Sequence, residues 1–149
     1  MSIYRSILAV VDLSPDGGAV ATRAHALATA CPGATLKLLH VVEYVPVEPL
    51  SDSLLPAVQI EGELVERARA QLAQLASRFA PSPAWEVAVG NVKSEIVRTA
   101  RNGTHDLIVI GSHERRGLSI LVNLTEDTIL HAAPCDVLAV RLATAERSA

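Results

Sequence analysis

Five short aliphatic runs, separated by segments of helical period, restrict more than any other feature what this chain can fold into. The first, Ile3 to Val11, is rich in β-branched residues and stops at Asp12. Thr35 to Val42, Trp85 to Val89, Asp106 to Ile110 and Val137 to Leu142 follow. Runs this short and this apolar read as strands buried on both faces. Between them, apolar residues recur three and four apart. Val20, Ala24, Leu27, Ala28 and Cys31 mark a first helix, Ile60, Leu64, Ala68, Leu72, Leu75 and Phe79 a second, and Val92, Ile96, Val97 and Ala100 a third. A fourth is expected over Thr125 to His131. The punctuation agrees. Ser14-Pro15-Asp16 reads as a helix start capped by Ser14, and Pro32-Gly33, Pro81 with Pro83, Asn102-Gly103 and Pro134 read as stops. Glu43 to Pro56 holds three prolines and little periodicity. It reads as a loop of a length that is often functional, and whether it covers a crevice is left open.

The order β-α-β-α-β-α-β-α-β implies an α/β fold, a single parallel sheet with helices on both faces. Right-handed crossovers reduce the topologies to a few doubly wound orders. The 149 residues suit one domain, over residues 1–142, with residues 143–149 as a frayed polar tail. Half the residues are hydrophobic but only four are Phe, Trp or Tyr, so the core must be aliphatic. The net charge of −3, with both signs interspersed, gives no reason to expect nucleic acid or an anionic membrane as partner. The chain start lacks a signal pattern and the apolar run there is too short to span a bilayer, so a cytoplasmic location is expected. Cys31 and Cys135 lack metal-type spacing and read as reduced thiols. No His/Asp/Glu cluster has ligand spacing, so no metal site is expected.

In such sheets ligands bind beyond the carboxyl ends of the strands, where strand order reverses. Asp12 stands at one such end, able to accept hydrogen bonds from ribose hydroxyls or to hold a cation; equally it can cap the following helix. Gly111-Ser112-His113-Glu114-Arg115-Arg116-Gly117 follows the fourth strand and reads as a loop. There Gly111 would let a ligand approach the backbone, Ser112 would supply a small donor, and successive amides could form an anion nest. Arg115 and Arg116 would add phosphate contacts. The loop is not a P-loop, since no G-x-x-x-x-G-K-[ST] occurs. Ser112 as nucleophile with His113, or His113 with Glu114 as an acid–base pair, would make a small hydrolase. The G-x-S-x-G elbow is missing, however, and adjacent residues rarely aim at one target. No dedicated catalytic residue is expected. His25 and His40 read as packing residues, and His105 and His131 as surface or cap positions.

Four phrases, "ILAVVDLSPDG", "LKLLHVVE", "HDLIVIGSH" and "HAAPCDVLAVR", resemble the universal stress proteins, in order, from about Tyr4 to Arg141. The resemblance implies a five-stranded parallel sheet ordered 3-2-1-4-5, of the adenine nucleotide alpha hydrolase-like kind. It also implies a homodimer formed through the last strand, Val137 to Leu142, and possible protein partners. An apolar edge strand would be an aggregation hazard in a monomer, which fits. In nucleotide-binding members an aspartate after the first strand contacts the ribose, and Asp12 matches it. The backbone of a second-strand valine meets the adenine, and Val41 matches. Phosphates rest on a loop G-x2-G-x9-G-[ST]. Gly111 matches its start, with Ser112, His113, Arg115 and Gly117 around it. Glu114 replaces the second glycine, Asn123 or Leu124 falls at the third, and Thr125 is the matching hydroxyl. Glutamate takes a glycine's backbone angles only with strain, and its charge repels phosphate. These departures resemble the UspA-like branch and imply weak or absent binding of ATP or AMP with Mg²⁺. The expectation is a non-catalytic, dimeric stress-response protein with a degenerate adenine-nucleotide crevice and at most slow ATP hydrolysis. The alternatives are an ATP/AMP sensor whose loop 111–125 orders on binding, and the Ser112/His113 hydrolase.

Overall fold

A computed structural model describes residues 2–14, 17–43, 54–113 and 129–142. The strands are β1 (Ser6–Val10), β2 (Thr35–Glu43), β3 (Ala84–Gly90), β4 (Leu107–His113) and β5 (Asp136–Leu142). The helices are α1 (Gly17–Ala30), α2 (Leu54–Ala76) and α3 (Val92–Asn102). Residues 129–132 are also helical and lead into β5. Each strand pairs with its neighbours in parallel, and the order is β3-β2-β1-β4-β5, as expected.

β1 lies at the centre. Ile7, Leu8 and Ala9 are fully buried in succession, which is why this run does not alternate with polar residues. Its two faces serve two cores. Ile7, Ala9 and Val11 pack with Leu38 and Val109 under Val20, Ala24 and Leu72 of α1 and α2. Leu8 packs with Leu39, Ile108 and Ile110 under Ile96 and Ala100 of α3 and under Ile129. Helices therefore cover both faces of the sheet, and the fold is doubly wound. The turn after α1 needs Gly33, whose φ of 83° is in the left-handed region.

Three boundaries differ from the sequence reading, each for a local reason. Ile3 is 81% exposed and lies outside the sheet, which begins where Thr35 N–H donates to Arg5 O at 2.9 Å. α2 starts at Leu54, so Pro56 sits in its first turn, where a missing N–H costs no helical bond. The expected loop thus ends earlier, and residues 44–53 lie outside the described residues. β4 runs through His113, because its pairing with β5 continues to His113–Leu142.

At the amino edge of the sheet, Asp106 fastens β4 to β1. Its carboxylate accepts Arg5 N–H at 2.8 Å and Ser6 N–H at 3.0 Å. Partial burial favours the neutral acid, but the amide donors outweigh it and hold the carboxyl below its ordinary range. Asp106→Ala leaves both amides without that acceptor. It is expected to cost about 1–2 kcal/mol, read as a drop of roughly 2–8 °C in melting temperature.

His105 is half-buried rather than an exposed cap, with Nδ1 at 2.8 Å from Ser6 Oγ. Burial chiefly, and then Lys37, lower its pKa, while Asp106 opposes them. The unfolded chain therefore binds more protons than the native one just below the ordinary value of 6.5. Stability from this group is complete above that value and is lost as pH falls through it. In melts from about pH 8 to about pH 5, His105→Gln is expected to flatten the decline seen in the parent. Parallel curves would refute the assignment.

Candidate ligand crevice at the carboxyl edge of the sheet

β1 and β4 are neighbours, but their pairing ends at Ala9–Val109. Beyond that point, among the described residues, β1 is held by β2 alone. Val11 N–H donates to Leu39 O at 2.9 Å, and His40 Nδ1 lies 2.8 Å from Val11 O. β4 is held instead by β5, through Gly111–Val140 and Ser112–Arg141. Past Ala9–Val109 the two middle strands pair only with their outer partners among the described residues. This is where strand order reverses.

The register gathers three of the expected residues at one level. Val10 pairs with Leu39, so Asp12 comes level with Val41. Ala9 pairs with Val109, so Asp12 also comes level with Ser112. Asp12 is exposed, and its Oδ1 accepts Ser14 N–H at 3.1 Å and the Ser14 hydroxyl. Ser14 is therefore not a side-chain cap of α1. Its hydroxyl is turned to Asp12, and its carbonyl accepts Gly17 N–H at 3.0 Å. One oxygen of Asp12 organises the turn, and Oδ2 has no partner among the described residues. Val41 is half-buried against the α3-side core, on the same sheet face as Ile108 and Ile110. Alternation along β4 puts Ser112 on that face too.

Gly111 plays a different part from the one expected. It lies within β4, not in a loop, and a Cβ there would stand 2.7 Å from Leu142 Cδ1 and 3.2 Å from Val20 Cγ2. Its small size lets α1 and β5 close over the strand, and that side is filled by protein. Ser112 and His113 are likewise consecutive residues of β4, and consecutive strand positions belong to opposite faces. Glu114, Arg115, Gly117, Asn123 and Thr125 lie outside the described residues.

Several residues bearing on the site escaped the sequence reading. Gly17 abuts Asp12 so closely that a Cβ would lie 1.8 Å from Asp12 O. His40 fixes the end of β1, as described above. A hollow of about 320 Å³ flanks Asp12 and Ser14, walled by Gly18, by Gln71 and Gln74 of α2, and by Arg78 just beyond that helix. Gly111 does not line it. The glutamines and arginine gave no signal, since polar residues at helical spacing read as a solvated face. Cys135 is partly buried; burial first, then Asp136 and Asp106, raise its pKa and keep the thiol protonated at neutral pH. Among the described residues no group of three or more His, Cys, Asp or Glu could hold a metal ion. None of the described helices is long and apolar enough to cross a membrane.

The family model of the universal stress proteins matches residues 3–141. This chain belongs to the universal stress protein family. It is 38% identical over 139 residues to universal stress protein A homolog 1 of Coxiella burnetii, covering 92% of this chain and 96% of that one. The solved structure of UspA from Lactobacillus plantarum superposes with a TM-score of 0.70 at 29% identity, covering 93% of this chain and 98% of that one. A universal stress protein solved in complex with cAMP superposes with a TM-score of 0.60 at 21% identity, covering 94% and 98%. The fold is thus the alpha/beta, nucleotide-hydrolase-like fold of UspA-type proteins.

Proposed function

We propose that this universal stress protein is a non-catalytic stress-response protein that works as a homodimer and holds adenine nucleotide only weakly, in the crevice between the tips of β1 and β4. The observation that carries the reading is the surroundings of Gly111. On the side where a Cβ would stand it meets Val20 and Leu142, so the glycine serves packing there, which supports a site lacking close backbone approach on that side. Glu114, at the position of a motif glycine, adds charge that disfavours phosphate. The exposed Asp12, level with Val41 and Ser112, is left to offer the ribose side of a nucleotide its hydrogen-bond acceptor. β5 pairs with β4 alone among the described residues, which supports dimerisation through its other edge. Light scattering is expected to give twice the chain's mass.

Thermal melts with Mg²⁺ and nucleotide test the reading. With a dissociation constant of about 1 mM or weaker, 1 mM ATP stabilises by at most about 0.4 kcal/mol, a shift under roughly 2 °C. A tight site, near 10 μM, would give about 2.7 kcal/mol and a shift of roughly 5–10 °C. The second outcome would favour the other reading, an ATP/AMP sensor whose loop 111–125 orders on binding. The cAMP complex of a relative with the same fold is the observation on its side. The expected effect of Glu114→Gly is tighter nucleotide binding; unchanged affinity would count against the role given to Glu114.

A further inference from the structure

We propose that the opposite, amino-terminal edge of the sheet carries a second ligand site, one that takes a small uncharged ring compound bearing a hydrogen-bonding group. The inference is independent of the nucleotide crevice.

A cavity of about 560 Å³ opens there between the second half of α1, the start of β2 and residues 80–84. That volume is in the range of small-molecule sites. It exists because Ala28, Ala34, Ala80 and Ala84 project so little from its walls. Pro81 and Pro83 stiffen one side with fixed backbone angles. The rings of His25 and Phe79 stack beside it, with centroids 4.9 Å apart and a 34° tilt. The cavity thus combines apolar walls, a rigid flank and an aromatic face, which suits a flat ring.

Its polar groups define the rest of the ligand. Thr29 Oγ1 donates its proton to His25 O at 2.9 Å, and Ser82 Oγ donates to Ala76 O at 3.1 Å. Each hydroxyl is left with lone pairs, so toward a ligand it can only accept. The ring nitrogens of His25 have no partner among the described residues and are available for hydrogen bonding. Among the described residues no carboxylate, ammonium or guanidinium lines the cavity. An ionised ligand would lose hydration there without a counter-charge. A neutral ring with an N–H or O–H group meets every feature of the lining.

Indole is the probe, added to ¹⁵N-labelled protein while amide resonances are followed by NMR. The amides of Thr29, Ala34, Thr35, Ser82 and Ala84 are expected to shift and saturate, with a dissociation constant on the order of 1 mM or tighter. Asp12 and Ser112, at the other edge, are expected to stay in place. Thr29 is exposed, so Thr29→Phe reaches into the cavity without touching the core; it is expected to weaken binding by about tenfold or more while leaving the melting temperature within a few degrees. Indole-3-carboxylate is expected to bind at least about fivefold more weakly than indole. Shifts that do not saturate, shifts centred on Asp12, equal affinity in Thr29→Phe, or equal affinity for the carboxylate would each overturn the proposal.

Discussion

Gly17→Ala is expected to lower stability by about 2–3 kcal/mol and the melting temperature by roughly 4–12 °C. On helix propensity alone the exchange should help, since alanine is the better helix former by close to 1 kcal/mol. Sterics decides otherwise. The added methyl would lie 1.8 Å from Asp12 O and 3.0 Å from Asp12 C, which are backbone atoms that no rotamer change can move. Either the first turn of α1 lifts from the sheet or the tip of β1 is displaced. Gly18, the next residue, has nothing within 4 Å of the corresponding position. Gly18→Ala is therefore expected to leave the melting temperature unchanged or slightly raised. Adjacent glycines with opposite responses in the same helical turn isolate contact with Asp12 as the cause. Equal shifts in the two variants would remove it. Because the displaced atoms carry the Asp12 carboxylate, Gly17→Ala is also expected to abolish whatever nucleotide-dependent stabilisation the parent shows.

Ile108→Ala is expected to cost about 2–5 kcal/mol in chemical denaturation. Ile108 is completely buried in β4, between Leu8 of β1 and Val137 of β5 in the register, and it faces α3. The side chain's removal leaves a cavity walled by strands on both sides, which have little freedom to collapse into it. Ile3→Ala supplies the contrast. Ile3 belongs to the same kind of β-branched run, yet it is 81% exposed, and its replacement is expected to change stability by no more than about 0.5 kcal/mol. A large loss at Ile3 would mean that β1 begins earlier than Ser6.

The contrast between these isoleucines also shows what the sequence could and could not disclose. Strand and helix identity were legible because burial on both faces demands continuous aliphatic runs, and the run from Ile7 to Val11 has no other economical use. Strand order became legible only through family resemblance, because local patterning does not say which runs lie side by side. Ends were harder. Nothing in Ile3 itself reveals that the sheet starts at the Arg5–Thr35 bond, since that depends on a partner 30 residues away. The placement of Gly111 in a loop failed for the same reason. A glycine after an apolar strand looks like the start of a turn, and only its pairing with Val140 and the approach of Val20 and Leu142 show that it belongs to the strand. Asp12 was singled out because it ends a strand and Val41 through the family resemblance, whereas Gln71, Gln74 and Arg78 were invisible because helix polarity has a simpler explanation in water. Gly17 was passed over inside a helix-start phrase whose cap was assigned to Ser14; the real arrangement runs through Asp12.

The most direct test is a titration of ¹⁵N-labelled protein with ATP and Mg²⁺, read residue by residue. The parting of β1 from β4 predicts that Asp12, Leu13, Val41 and Ser112 shift together, half-saturating only in the millimolar range, while Arg5, Thr35 and Asp106 remain still. Shifts concentrated on those last three, saturation at micromolar nucleotide, or no response at any residue would contradict it.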